Sequence, residues 1–263
     1  VRLGFYDKFG REFIGWDNYV WALNDPNFRR SIINNLGWLL IVPTLSTFFG
    51  LVIANLTDRI WWGSIAKSII FMPMAISFVG AGVIWKFIYD YRGPGDIQIG
   101  LLNAIMVSLG IEPQAWLTIP IWNNLFLMAI MIWIQTGLAL VIFSAALRGI
   151  PKETLEAARI DGASELQILM KVYMPLNWGI TTALALVTFI GAWNNFFWPF
   201  IMTTKAEMFT VPVAITSVND AYGIFLARQM AVAMLAALPV VAFFLIFQKR
   251  VTQAIMLTSG IKG

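Results

Sequence analysis

The sequence predicts an all-α, polytopic membrane protein of about five transmembrane helices, and three observations lead there. Hydrophobic residues make up 59% of the chain and charged residues only 12%, whereas a soluble domain carries about twice that charged fraction. The apolar residues fall in long uninterrupted runs, close to the roughly 20 residues that one crossing requires and longer than buried strands or core helices need. Twelve Trp and twenty Phe suit a bilayer protein, with aromatic rings at the interfaces and on packed helix faces.

Along the chain, residues 1–30 read as an outer-face or interfacial segment and residues 31–263 as the transmembrane domain. The opening Val1-Arg2-Leu3-Gly4 has no initiator Met, charged leader or cleavage site, which predicts a missing upstream segment and with it a first helix. Phe13 to Tyr19 and the Asp25-Pro26 pair predict a short amphipathic helix along the interface. Five spans follow, at 31–56, 68–89, 116–147, 177–202 and 229–247. Only Lys86, one turn from an end, places a charge inside any of them. Pro43, Pro73, Pro120, Pro199 and Pro239 lie in or beside these spans, where prolines are tolerated if neighbours satisfy the carbonyls they free. The 90–118 connection, rich in Gly and Pro (Gly93-Pro94-Gly95, Glu112-Pro113), predicts a loop folded over the outer face.

Five crossings put the two ends on opposite sides. Each side carries nine Lys plus Arg, but 57–67, 148–175 and 248–263 pack theirs into roughly half the length and net +4, against zero for the other side. Short positively charged loops face the cytoplasm, so 148–175 is read as cytoplasmic.

The residue inventory closes several functional classes. Cys and His are both absent. Disulfides, Cys- or His-ligated metals, Ser-His and Cys-His couples and imidazole proton relays are therefore excluded within these residues. No cofactor, metal or catalytic residue is expected. A net charge of +4 suits loops facing anionic lipid, not a nucleic-acid footprint.

Loop 148–175 carries the most specific signal. Pro151 suits the first position of a helix, and Glu153 and Glu156 favour its N-terminal turn. Asp161-Gly162 is a stop, since Gly can take the left-handed conformation just past a helix end. Ser164-x-x-Gln167 is a capping box that opens a second helix, ended by Met174-Pro175. Leu155 and Ala158 share one face of the first helix, and Leu166, Leu169 and Met170 one face of the second. A short helix with such a face fits a groove in a partner.

Glu156-Ala157-Ala158-x-x-x-Gly162, nine residues, then Val172-x-Met174-Pro175 resembles the E-A-A-x-x-x-G-(x)9-I-x-L-P signature of permease subunits of ATP-binding-cassette importers. Val172 for Ile and Met174 for Leu are conservative departures. Gly15-Trp16-Asp17-Asn18-Tyr19, Ala146 to Pro151, Trp193 to Pro199 and the Gly260-Ile261-Lys262-Gly263 tail are similar to the carbohydrate-uptake branch, the maltose- and alpha-glucoside-type permeases. Up to about Pro175 the likeness is to the first of the two permeases in such systems. From about Asn177, notably Phe209-Thr210-Val211-Pro212-Val213, it is to the second. A natural recombinant, an engineered hybrid or joined fragments would each give that pattern.

The resemblance implies the type I importer permease fold and a coupling site at Glu156, Ala157, Ala158, Asp161, Gly162, Leu166 and Pro175. It further implies a dimeric cytoplasmic ATPase, a second permease subunit in a heterodimer, an extracytoplasmic sugar-binding protein, and placement in a bacterial or archaeal cytoplasmic membrane. The chain would be non-catalytic, and it contains no Gly-x-x-x-x-Gly-Lys-Ser/Thr phosphate loop. For sugar contacts, amides and hydroxyls beside aromatic rings on the third and fourth spans point to Gln135, Thr188, Asn194 and Asn195. The same groups also serve as hydrogen-bonding glue between packed spans, and both roles stay open. An ion-coupled carrier for a small polar solute is the alternative, although such carriers bury charged groups at membrane depth and these span centres have none. An intramembrane enzyme lacks its nucleophiles and ligands.

Overall fold

A computed structural model describes residues 2–93, 95–220 and 223–258, leaving aside the side chains of Arg2, Phe78, Asn219, Asp220, Gly223, Ile224 and 249–258. The Gly260–Gly263 tail and Pro94 of the Gly93-Pro94-Gly95 turn lie outside the described residues. The helices in order are α1 (Asp17–Asn24), α2 (Pro26–Thr57), α3 (Gly63–Ala75), α4 (Phe78–Ile88), α5 (Leu101–Ser108), α6 (Trp122–Arg148), α7 (Lys152–Ile160), α8 (Glu165–Ile168), α9 (Met174–Leu176), α10 (Trp178–Trp193), α11 (Phe197–Met202), α12 (Val211–Thr216) and α13 (Leu226–Thr258). Two-residue strands Asn219–Asp220 and Gly223–Ile224 pair antiparallel, and the fold is otherwise helical, as expected.

Among the described residues four helical stretches are long and apolar enough to cross a membrane: Pro26–Thr57, Trp122–Arg148, Trp178–Met202 and Leu226–Gln248. The expected second span, 68–89, is instead two short helices, α3 and α4, interrupted at Ile76 and Ser77. Counted as one broken span it makes five. Helix α3 continues through Pro73, and its last turn closes with the Ile76 N–H bonded to the Pro73 carbonyl at 3.2 Å. The third span starts later than expected, because Trp116–Thr118 is a 3₁₀ turn ahead of Pro120. The fourth is broken at 194–196.

The chain divides into two compact units. The first comprises residues up to Leu40, Phe78–Ile130 and Ala192–Phe244. Here a short helix expected between Phe13 and Pro26 forms as α1, and α2 starts at Pro26, ahead of the expected residue 31. The Asp25 carboxylate accepts the Phe28 N–H at 2.7 Å, and Pro26 takes the first helical position, where no N–H is required. Phe28, Val211, Val218 and Val232 form a packed cluster. Around it, buried amides satisfy backbone groups that no helix serves. Asn18 donates to the carbonyls of Gly4 (3.0 Å) and Tyr6 (2.8 Å). Asn35 donates to the Trp193 carbonyl (3.3 Å) and accepts the Val211 N–H (3.1 Å). The Trp193 indole donates to the Ala236 carbonyl at 2.9 Å, one turn before Pro239, which disrupts the ladder there.

The 90–118 connection is more ordered than a loop. It contains α5, and fully buried Asn103 donates to the carbonyls of Asp90 (2.8 Å) and Gln114 (3.0 Å). Its Oδ1 accepts the Gln114 N–H at 2.9 Å and the Trp116 indole at 3.1 Å. One side chain thereby closes the whole segment.

The second unit comprises Ile41–Ser77, Met131–Gly191 and the residues after Phe244. Its core gathers Leu51 and Ala54 of α2, Leu140 and Phe143 of α6, and Ile168, Leu169 and Tyr173 from the segment after α8. Helices α2 and α6 meet where a Cβ on Gly50 would lie 2.2 Å from the Ala139 Cβ, an approach that only Gly permits.

Candidate functional site

Loop 148–175 folds into the expected two helices with a sharp turn between them. Helix α7 runs Lys152–Ile160, with Pro151 one position earlier than expected, as the residue that caps the helix. Its ψ of 136° is extended, so the chain turns into the helix after the ring. Gly162 takes φ +78°, the left-handed conformation expected of the stop. The Ala163 N–H closes the turn on the Ala158 carbonyl at 3.0 Å. Ser164 and Gln167 then form the complete capping box: the Gln167 N–H donates to the Ser164 hydroxyl at 3.3 Å, and the Ser164 N–H to Gln167 Oε1 at 2.8 Å.

The second helix does not end at Pro175. Helix α8 passes into a π-helical turn, Leu169–Tyr173, and then into α9, which contains Pro175. The wider turn takes up the position where proline withholds its N–H from the ladder. The Asn177 N–H still reaches the Tyr173 carbonyl at 3.1 Å, and the Thr181 N–H the Asn177 carbonyl at 2.8 Å.

Burial reverses part of the expected docking face. Leu155, Ala158 and Ala163 pack against the core around Ile168, and Leu169 is itself buried. The free face holds exposed Glu156, Ala157, Asp161 and Gly162 with Ile160, Leu166 and Met170. Ile160 is 85% exposed and Leu166 65%. Helical spacing alone could not say which of the two faces of α7 was turned inward.

Charge ties the loop to the end of α2. Arg59, just past that helix, forms a hydrogen-bonded ion pair with Glu165 in the first turn of α8, and Arg159 stands 3.6 Å from the same carboxylate. The Arg59 hydrogen bond holds the Glu165 carboxyl below its ordinary range, and the same bond raises the Arg59 guanidinium above its own. Sequence reading missed Arg59, because its partner lies 106 positions away. Beside it, Asp58 pairs with Lys67, and Arg148 lies 3.4 Å away.

The residues expected to contact substrate fall in both units. In the second unit, Gln135 is partly buried on α6, and its Nε2 would stand 3.4 Å from a Cβ on Gly191. Thr188 is fully buried, but its hydroxyl donates to the Leu184 (2.9 Å) and Ala185 (3.1 Å) carbonyls of its own helix. In the first unit, Asn194 is exposed and Asn195 buried, both in the break between α10 and α11. Among the described residues no group of three or more acidic residues could hold a metal.

The profile of a family described as "Binding-protein-dependent transport system inner membrane component" matches residues 46–256. The chain is 68% identical over 179 residues to the alpha-glucoside transport system permease protein AglF of Rhizobium meliloti, covering 68% of this chain and 53% of that protein. It is 53% identical over 176 residues to the osmoprotective compounds uptake permease protein GgtC of Synechocystis, covering 67% and 63%. The chain thus spans between half and two thirds of these curated relatives. A crystal structure of a bacterial ABC transporter involved in the import of the acidic polysaccharide alginate contains a chain of the same fold, with TM-score 0.73, 18% identity, and coverage of 99% of this chain and 88% of that one.

Proposed function

Because the chain belongs to the binding-protein-dependent transport system inner membrane component family, we propose that it is the permease subunit of an ATP-binding-cassette importer, a multi-pass inner-membrane protein that lines the path of a sugar. The observation that carries the coupling role is the 148–175 loop. It is a capped helix pair hinged at Gly162 whose outer face leaves Ile160 and Leu166 exposed. That face is a knob for a groove in a cytoplasmic ATPase, with Glu156, Ala157, Ala158, Asp161, Gly162, Leu166 and Pro175 as the coupling set. Ala157 and Gly162 allow close approach, and Ala158 and Pro175 hold the fold of the knob. Closure of two ATPase subunits would displace the loop and rock the spans between inward- and outward-facing states.

The substrate reading is an alpha-glucoside or a related oligosaccharide. It is supported by the identity to AglF, with GgtC widening the class to small polar solutes. Delivery would come from an extracytoplasmic sugar-binding protein, and a second permease subunit would complete the pathway. Asn194 and Asn195, in the broken fourth span, are the amides best placed to meet sugar hydroxyls. Irregular backbone at membrane depth is tolerated where it lines a cavity.

Co-purification with the ATPase subunit tests the coupling role. Gly162→Pro and Glu156→Lys should each abolish the complex while the permease stays in the membrane. Normal complex formation and normal sugar uptake in both variants would remove the assignment. Uptake that survives ATP depletion but collapses with the proton gradient would replace it with an ion-coupled carrier.

A further inference from the structure

Behind the coupling loop, in the second unit, lies a cavity of about 440 Å³. Its lining includes Arg59, Arg148, Lys152 and Arg159, together with Asp58 and Tyr173. Four cations thus face a single carboxylate. Their ion-pair partners outside the lining, Lys67 and Glu165, add one charge of each sign, so three positive charges stay uncompensated. The other carboxylates of the loop, Glu153, Glu156 and Asp161, are exposed and do not line the cavity. Lys152 makes no ion pair among the described residues, and the Arg148 side chain is 71% exposed with only the 3.4 Å approach of Asp58. Helix α7 adds to the field. Its N-terminus, beside Lys152, has no side-chain cap, and Glu153, the one acidic residue of its first turn, does not line the cavity.

Three uncompensated positive charges around one recess favour an anionic occupant. Like charges gathered in a recess repel one another, and a guanidinium fork is matched by the oxygens of a phosphate. The outward-facing Ile160 and Leu166 already serve the coupling reading, whereas these cations lie on the opposite, inward side of α7 with Leu155.

We propose that the cavity binds a phosphate-bearing anion, and that an anionic phospholipid headgroup is the source its position favours. The cavity lies beside the C-terminal ends of two apolar helices long enough to cross a membrane, next to Thr57 of α2 and at Arg148 of α6, where a lipid headgroup would be within reach. Trp61, 93% exposed, and Trp62 follow Arg59 directly, and exposed tryptophans at span ends anchor in the interfacial region. Basic recesses between span ends on the cytoplasmic side suit phosphate headgroups.

The test uses the full chain in detergent micelles without the ATPase, so its outcome is independent of the coupling reading. Native mass spectrometry should show phosphatidylglycerol retained in preference to phosphatidylcholine. An Arg148→Gln/Lys152→Gln double variant should lose that preference roughly tenfold, and a Lys205→Gln control in the other unit should keep it. Arg148→Lys, which restores the charge, should retain binding and shows that a loss does not come from misfolding. In a parallel arm, inorganic phosphate is titrated and thermal unfolding is followed. Protection of the parent chain but not the double variant, without lipid preference, would support the site and assign it a soluble phosphate source. Equal phosphatidylglycerol retention by parent and double variant, or no response to either probe, would overturn the proposal.

Discussion

The two units hold their irregular segments by different means. In the first, neutral amides do it: Asn18, Asn35 and Asn103 are almost fully buried, and each bonds backbone groups distant from itself in sequence. In the second, the 148–175 loop is tied down by charge, through Arg59, Glu165 and Arg159, whose side chains are between about one third and one half exposed. Buried amides cannot exchange partners with water, so breaking one leaves polar groups stranded. Exposed ion pairs exchange readily and contribute little individually. A segment that has only to stay closed suits the first device. A loop that must move when a partner pulls suits the second.

Asn103→Ala should give the largest effect. It strands the Asp90 and Gln114 carbonyls, the Gln114 N–H and the Trp116 indole together, and should cost about 3 kcal/mol, read as a lower thermal midpoint of the detergent-solubilised chain. Gly162→Val comes next, because a β-branched residue at φ +78° is strained by about 2 kcal/mol. Its damage should be local, seen as faster hydrogen exchange across α7 and α8 with an unchanged global midpoint. Ser164→Ala removes half of the capping box and should cost about 1 kcal/mol, visible as quicker proteolysis within 161–168.

Smallest of all is Glu165→Gln, below about 1 kcal/mol and fading with salt. Its pH dependence has a definite sign. The Glu165 pKa is lowered in the folded chain, so its contribution is fully present above the ordinary Glu value. It is lost as pH falls through the lowered one, well to the acid side of neutrality. Loop exchange rates at pH 6 and pH 8 should therefore match at fixed ionic strength after correction for intrinsic exchange. A Glu165-dependent difference between those pH values would show that the pair is not held as described.

What could be read in the sequence was local. The capping box and the Gly162 stop each depend on residues within a few positions, and both form. What escaped needed contacts from afar. Helix α5 sat unnoticed in a Gly- and Pro-rich stretch because Asn103 closes it through partners 11 and 13 positions away. The inward turn of Leu155 and Ala158 depends on Ile168 and Phe143, which helical periodicity does not reveal. The Thr188 hydroxyl bonds backward to its own helix, a common arrangement for Thr, and helical spacing does not reveal which way it turns.

The π-helical turn at Leu169–Tyr173 has a mechanical consequence. Because helical hydrogen bonding passes through it and on past Pro175 and Asn177 into α10, Glu165 and Gly191 are joined by a near-continuous strut on the order of 40 Å long. A flexible linker would absorb a shove delivered at Leu166 as slack. A strut passes it along its length, and the wide turn, where one residue more than an α-helix holds is accommodated, is the place where such a strut can wind or unwind without snapping.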